Sequence, residues 1–221
     1  MTCAEVMAEL SSLTDVKIRE HNVRSGIGDD QFGVKMGDIR TIAKRLKTNP
    51  ALAEELWATG NFEAMMLATL LMKPKQLSLE DLDRLVSSVT LSQVADWLGT
   101  NVIKQHPEKE SVRARWMDSR HEITARMGWS LTAERIVKDP EGLDLVGLLD
   151  RIEAEMVKAP KVAQWTMNYC LAEIGIKYAE HRTRAIGIGE KIGAFRDYPT
   201  PKGCTSPFAP LWIAAMVARN G

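Results

Sequence analysis

Apolar residues recur along this chain every three to four positions, and the alternation that marks a half-buried strand is nearly absent. Between Cys3 and Arg24, Val6, Leu10, Leu13 and Val16 keep helical spacing, which predicts one helical segment before the glycine-bearing break SGIGDDQFGVKMGD. Ile39, Ile42, Ala43 and Leu46 mark a second helix from Asp38. Its C-terminal end carries Lys44, Arg45 and Lys47, where cations suit the helix dipole. Asn49 and Pro50 then supply an N-cap and a proline at the first helical position. That helix closes on Gly60, Asn61 caps NFEAMMLATLLMK, and Ser78 with Asp81 forms a capping-box pattern ahead of LEDLDRLVSSV. Further on, Asp139, Pro140 and Glu141 are expected to open the helix GLDLVGLLDRIEAEMVK, and Pro160 to open the longest apolar helix, over residues 161–180. This last helix carries two stripes: Met167, Leu171, Ile174 and Tyr178 form one, and Val162, Trp165 and Tyr169 the other.

The pattern is therefore a succession of ten or more helices joined by very short turns, with a pair of helices every 35 to 45 residues or so. The fold it predicts is all-α: a right-handed α-solenoid (superhelix) of HEAT-like helical repeats, forming a single domain over residues 1–221. A compact helical bundle is the alternative. Four prolines between Pro199 and Pro210 forbid a regular helix there. Residues 196–221 read as a proline-rich C-terminal cap, or else a lid, ending in a helix from Leu211 to Arg219.

Composition changes this picture little. The chain has 221 residues, 29 basic and 29 acidic, so no bulk charge announces nucleic acid or membrane. The balance is uneven, however. From Lys158 to Lys202 there are eight basic residues against four acidic ones, enough for a local basic patch. Cys3, Cys170 and Cys204 are odd in number and far apart, with neither a pairing framework nor metal-ligand spacing; Cys170 reads as a small core residue. The start of the chain lacks the basic and apolar regions of a signal peptide, and no run is long enough to span a membrane. A cytoplasmic protein, without cofactor or metal, is expected. His21, His106, His121 and His181 lie in polar contexts and are expected at the surface. Gly187, Gly189 and Gly193 mimic a phosphate loop, but no strand precedes them; close helix packing is the simpler reading.

Candidate chemistry concentrates in residues 91–129. Leu91, Ala95, Leu98 and Val102 form a core stripe, and Asp96 lies beside it, with Gly99 one turn on and Arg113, Arg115 and Arg126 downstream. A carboxylate among apolar residues must be hydrogen-bonded, paired with a cation or held for a function. A structural ion pair competes with a catalytic role at this point.

The order and spacing of several motifs resemble the DNA alkylation repair family of HEAT-like repeat glycosylases. The motifs are FGVKMGDIRTIAKRL, ADWLGTNVIKQHP, EITARMGWSL and WTMNYCLAEIGIKY, with GCTSPFAP near the end, and the resemblance covers roughly residues 30 to 215. It implies a helical solenoid that holds double-stranded DNA carrying alkylated bases on a basic concave face. It also implies excision of positively charged N3- and N7-alkylated purines without a base-flipping pocket. By that resemblance Asp96 matches the catalytic aspartate and Arg126 the DNA-contacting arginine, while Tyr169 stands where the family has a tryptophan. Lys158 and Lys161 are candidate DNA contacts from the same basic region. One departure concerns the family's second tryptophan, one helical turn before the aspartate, where this chain has Ser92. Trp97 points about 100° away from Asp96 and does not replace it.

Three functions follow as expectations. The first is a monomeric glycosylase for cationic alkylated bases. The second is a DNA-binding relative without excision activity. The third is a helical-repeat protein whose concave face binds another protein.

Overall fold

The structure, a computed structural model, describes residues 1–220, and among them it is entirely helical, with thirteen α-helices and no strand. The helices gather into two compact units, Met1–Lys109 and Glu110–Gly221.

In the first unit, α1 (Cys3–Ser12) is closed by a capping box between Thr2 and Glu5, and α2 (Val16–Arg24) begins at Asp15. The single segment expected between Cys3 and Arg24 is thus two helices. The Asp15 carboxylate accepts from the backbone N–H groups of Lys17 and Ile18, and this cap competes successfully with continuation of the helix. Next come α3 (Met36–Leu46), α4 (Pro50–Ala58), α5 (Phe62–Leu71), α6 (Leu79–Ser88) and α7 (Ser92–Asn101). The caps expected at Asn49, Asn61 and Ser78 are all formed. Nine of the ten residues of α5 are buried, so it has no solvent face and forms the centre of the unit, packed on α3, α4 and α7.

One of those nine is Glu63. Its side chain is fully buried, and its two carboxylate oxygens accept from the backbone N–H groups of Phe32, Gly33 and Val34 at 2.8, 2.8 and 3.1 Å. Gly33 makes this possible. It sits at φ +82°, and a Cβ there would lie 2.7 Å from the Cβ of Arg19. The FGVK segment is therefore a loop whose backbone wraps a carboxylate, ahead of α3.

In the second unit, α8 (Lys109–Met117), which starts at the unit's edge, leads to α9 (Glu122–Lys138). Gly128 lets these two helices touch: a Cβ there would meet the Met117 nitrogen at 2.4 Å. Then follow α10 (Leu145–Glu155), α11 (Lys161–Lys177), α12 (Ala179–Ile192) and α13 (Ala209–Asn220). The central helix here is α11, packed most extensively on α9 and also on α10, α12 and α13. Trp129, Ile136, Leu149, Met167, Cys170, Leu171 and Ile174 are among the buried core. Three boundaries differ from expectation. α10 starts at Leu145, because Asp144 rather than Asp139 caps it, and α11 ends at Lys177, with Tyr178 extended between it and α12. The third is that α13 starts at Ala209 rather than Leu211, with Pro210 in its first turn, where no intrahelical N–H bond is lost. Of the three glycines near 190, Gly189 is the one in a tight helix contact, where a Cβ would meet the Pro210 ring at 2.7 Å.

His106 is buried rather than at the surface. Its Nε2 lies 3.0 Å from the Leu77 carbonyl and its Nδ1 accepts from the Glu108 N–H, so both ring nitrogens are used to tie loops together.

Candidate nucleic-acid interface

In the first unit the candidate site lies on α7. Asn101 fixes the end of this helix by donating to the Thr69 hydroxyl of α5 at 3.3 Å, and Gln93 fixes its start by donating to the Ser25 carbonyl. Val94, Ala95, Leu98 and Gly99 are buried, whereas Asp96 is exposed. Helical geometry accounts for the difference: Asp96 is one step, about 100°, beyond Ala95, which carries it off the core stripe and into solvent. Gly99 is buried with the core stripe. Ser92, the first residue of α7, is half-buried. The next residue after the aspartate, Trp97, is half-buried, and the guanidinium carbon of Arg40, from α3, lies 5.0 Å from its ring centroid. The exposed surface of α7 therefore joins a carboxylate, an indole and an arginine.

In the second unit the candidate residues fall on α9, on α11 and in the turn between α10 and α11. Arg126 is only 6% exposed, and its Nη1 donates to the Val162 carbonyl at 2.9 Å. In this conformation it ties α9 to the first turn of α11 and offers a phosphate little surface. Lys161, the first residue of α11, is exposed. Tyr169 follows two turns later on the same side, 38% exposed, with its ring edge-on to Trp212 of α13 at 5.1 Å between centroids. Burial raises the pKa of the Tyr169 hydroxyl, and the Glu173 carboxylate one turn on raises it further. Lys158, at the end of the turn after α10, is exposed and lines an open groove of about 440 Å³ with Trp129 and Arg151. Arg151 lies over the Trp129 ring at 5.3 Å and pairs with Asp118 at 2.6 Å and Glu155 at 2.9 Å, so much of its charge is answered within the unit.

The profile described as DNA alkylation repair enzyme matches residues 6–207. The chain belongs to this family. Two curated relatives are the uncharacterized proteins Lin0241 of Listeria innocua and Lmo0209 of Listeria monocytogenes. Each is 25% identical over 228 residues, covering 100% of this chain and 98% of the relative. Among solved structures, the chain is similar to a protein described as one of a new family related to the HEAT-like repeat DNA glycosylases, with affinity for branched DNA structures. That match has a TM-score of 0.82 at 25% identity, over 100% of this chain and 95% of the other. The all-α, HEAT-like repeat fold read from the sequence is thus the fold of a DNA alkylation repair family member.

Arg40 is the residue that sequence reasoning missed. It lies within FGVKMGDIRTIAKRL and falls off the Ile39–Ile42 core stripe, with Gly37, Thr41 and Lys44 exposed around it. That exposed side was the available signal; its packing on an indole from α7 was not. No group of three potential metal-ligating side chains occurs among the described residues. Nor is any helix among them long and apolar enough to cross a membrane.

Proposed function

We propose that this member of the alkylation repair family recognises DNA through exposed cations beside aromatic rings, and that recognition rather than rapid excision is its main activity. The contacts are Arg40 at Trp97 in the first unit, and Lys158 and Lys161 with Tyr169 in the second. The observation that carries this reading is the surface of α7. Asp96 is exposed, a guanidinium stacks on the adjoining indole, and Ser92 occupies the position of the family's second tryptophan. Stabilising a developing sugar cation calls for a carboxylate in a site that water does not screen. A nearby guanidinium opposes that cation but attracts a phosphate. The affinity of the structural relative for branched DNA supports the same reading.

Asp96 itself favours a second reading, excision of positively charged N3- and N7-alkylated purines by hydrolysis of the N-glycosidic bond. These bases are already good leaving groups, and a bound duplex would exclude water from the carboxylate. Binding and excision measured together separate the two. Fluorescence anisotropy on a plain duplex is expected to show affinity that falls steeply with salt, because phosphate contacts release counterions. Lys161→Ala is expected to reduce the salt slope by about one unit. Excision of 7-methylguanine is expected to be weak, absent in Asp96→Asn, and improved by Ser92→Trp. Rapid excision by the parent, lost in Asp96→Asn, would make the second reading the main one. Absence of DNA binding at low salt would overturn both.

A further inference from the structure

The second apolar stripe of α11 does not enter the core. Val162 and Trp165 are half-buried and Tyr169 is exposed, while the first stripe, Met167, Leu171 and Ile174, is packed inside. What Trp165 meets instead is the segment between α12 and α13. Its ring lies edge-on to Phe195 at 5.2 Å and tilted against Tyr198 at 5.7 Å. Trp165, Tyr198, Pro199, Pro201, Pro207 and Trp212 enclose an open cavity of about 230 Å³. It is smaller than the roughly 300–1,000 Å³ of sites for larger small molecules, and suits one planar ring system.

The cavity is preformed. Asn168, buried on α11, donates to the Pro207 carbonyl at 2.8 Å and holds the far end of the loop. At the near end Arg196 pairs with Glu190 at 2.8 Å and lies 4.4 Å over the Phe208 ring. Two exposed cations belong to the elements that form the walls: Lys161 is one helical turn before Trp165 on α11, and Lys202 follows Pro201 in the loop. Flat apolar walls with π faces and flanking lysines match a base attached to a phosphate backbone. A paired base inside a duplex cannot enter, because its faces are already stacked.

We propose that this cavity holds one unpaired nucleobase from a single-stranded DNA branch, with Lys161 and Lys202 meeting the adjoining phosphates. The proposal rests on the DNA-binding reading above and gives it a substrate class, DNA in which a duplex carries a single-stranded arm. Base-on-aromatic stacking tolerates any sequence, so the preference is for the arm and not for its bases.

The test compares a blunt duplex with the same duplex bearing a thymidine flap. Anisotropy would be followed for the wild-type protein and for Tyr198→Ala and Tyr198→Phe. Tyr198 is 49% exposed, so its removal leaves the fold in place. Tyr198→Ala is expected to weaken flap binding about tenfold while blunt-duplex binding stays within about twofold, and Tyr198→Phe is expected to keep wild-type affinity. A 2-aminopurine placed in the flap is expected to lose fluorescence on binding wild type and to keep it with Tyr198→Ala. Equal loss on both substrates, no loss on either, or an unquenched 2-aminopurine with wild type would overturn the pocket and leave duplex recognition standing. Failure of the wild-type protein to bind any DNA would overturn both. A wild-type dimer in sedimentation that Tyr198→Ala dissolves would assign the cavity to a second copy of the chain and overturn the proposal.

Discussion

In the first unit a buried carboxylate anchors a loop to the central helix, whereas in the second unit the anchor is a neutral amide. Glu63 on α5 collects three backbone N–H groups from residues 32–34, and Asn168 on α11 donates to the carbonyl of Pro207. The choice follows from what each loop presents. Around Gly33 the chain turns through a left-handed conformation and points successive N–H groups inward, which calls for an acceptor, best of all an anion. The loop before α13 contains Pro199, Pro201 and Pro207, and a proline has no N–H, so the loop is rich in carbonyls and calls for a donor. Two central helices in one chain therefore solve the same problem with side chains of opposite hydrogen-bonding sense.

The largest effect expected from breaking this contrast is at Glu63. Glu63→Ala leaves three donors without this partner, those of Gly33 and Val34 buried and that of Phe32 partly so, and is expected to lose about 3–5 kcal/mol in urea denaturation, as for a broken buried charge interaction. Glu63→Gln is expected to fall between, since its NH2 faces donors on one side. A cost under about 1 kcal/mol for Glu63→Ala would remove the distinction.

Next is Asn168→Ala, with about 1–3 kcal/mol expected from one lost buried donor. Asn168→Asp is the sharper case. Here a carboxylate would face the Pro207 carbonyl, so it should destabilise more than alanine at neutral pH, the reverse of the order expected at position 63. Comparing the two series by thermal melting checks this directly.

A smaller effect concerns the exposed surface of α7. Arg40→Ala is expected to lower affinity for a plain duplex about three- to tenfold and to flatten the salt slope by about one unit. Stability should change by about 0.5–1 kcal/mol at most, the size of an exposed cation–aromatic contact. A large loss of stability with unchanged affinity would show that Arg40 only braces Trp97.

The smallest effect is in titration, and it contrasts two glutamates within the second unit. Burial raises the pKa of Glu173, and the charge of Lys177 and the Tyr169 hydroxyl offset this only in part. Its protonated form is favoured on folding, so its contribution is fully present below the ordinary glutamate range and is lost as pH rises through the raised pKa. Glu173→Gln is therefore expected to raise the melting temperature by about 1–3 °C at pH 7 and to leave it unchanged near pH 4. Glu110 has the opposite sense. Burial pushes its pKa up, but Arg113 and Arg135 more than reverse that, so its contribution is present at neutral pH and lost as pH falls. Glu110→Gln is expected to lower the melting temperature at pH 7, with the difference vanishing near pH 3. Equal signs for the two variants at pH 7 would break the contrast.

Much of this protein was legible in the chain because it rests on contacts between near neighbours. The caps at Asn49, Asn61 and Ser78 each satisfy an N–H three residues away, and a local pattern is enough to find them. Periodicity likewise placed the stripes of α7 and α11 and the all-helical class. Where local signals competed, the outcome was not visible: Asp15 ended a segment that apolar spacing would have continued, and Asp144 prevailed over Asp139 as a cap.

What only the tertiary structure decided was which polar side chains go inside. Sequence spacing put Asp96 beside a core stripe and His106 and Arg126 in polar or functional settings, yet Asp96 is exposed and the other two are buried. Each buried group has its partner far along the chain, Leu77 for His106 and Val162 for Arg126, 29 and 36 residues away. Burial of a polar group is tolerable only where such a partner arrives, and that depends on how helices pack. The same holds for the cavity behind Trp165: its stripe is written in α11, but whether the stripe meets core or a proline-rich loop is settled by packing.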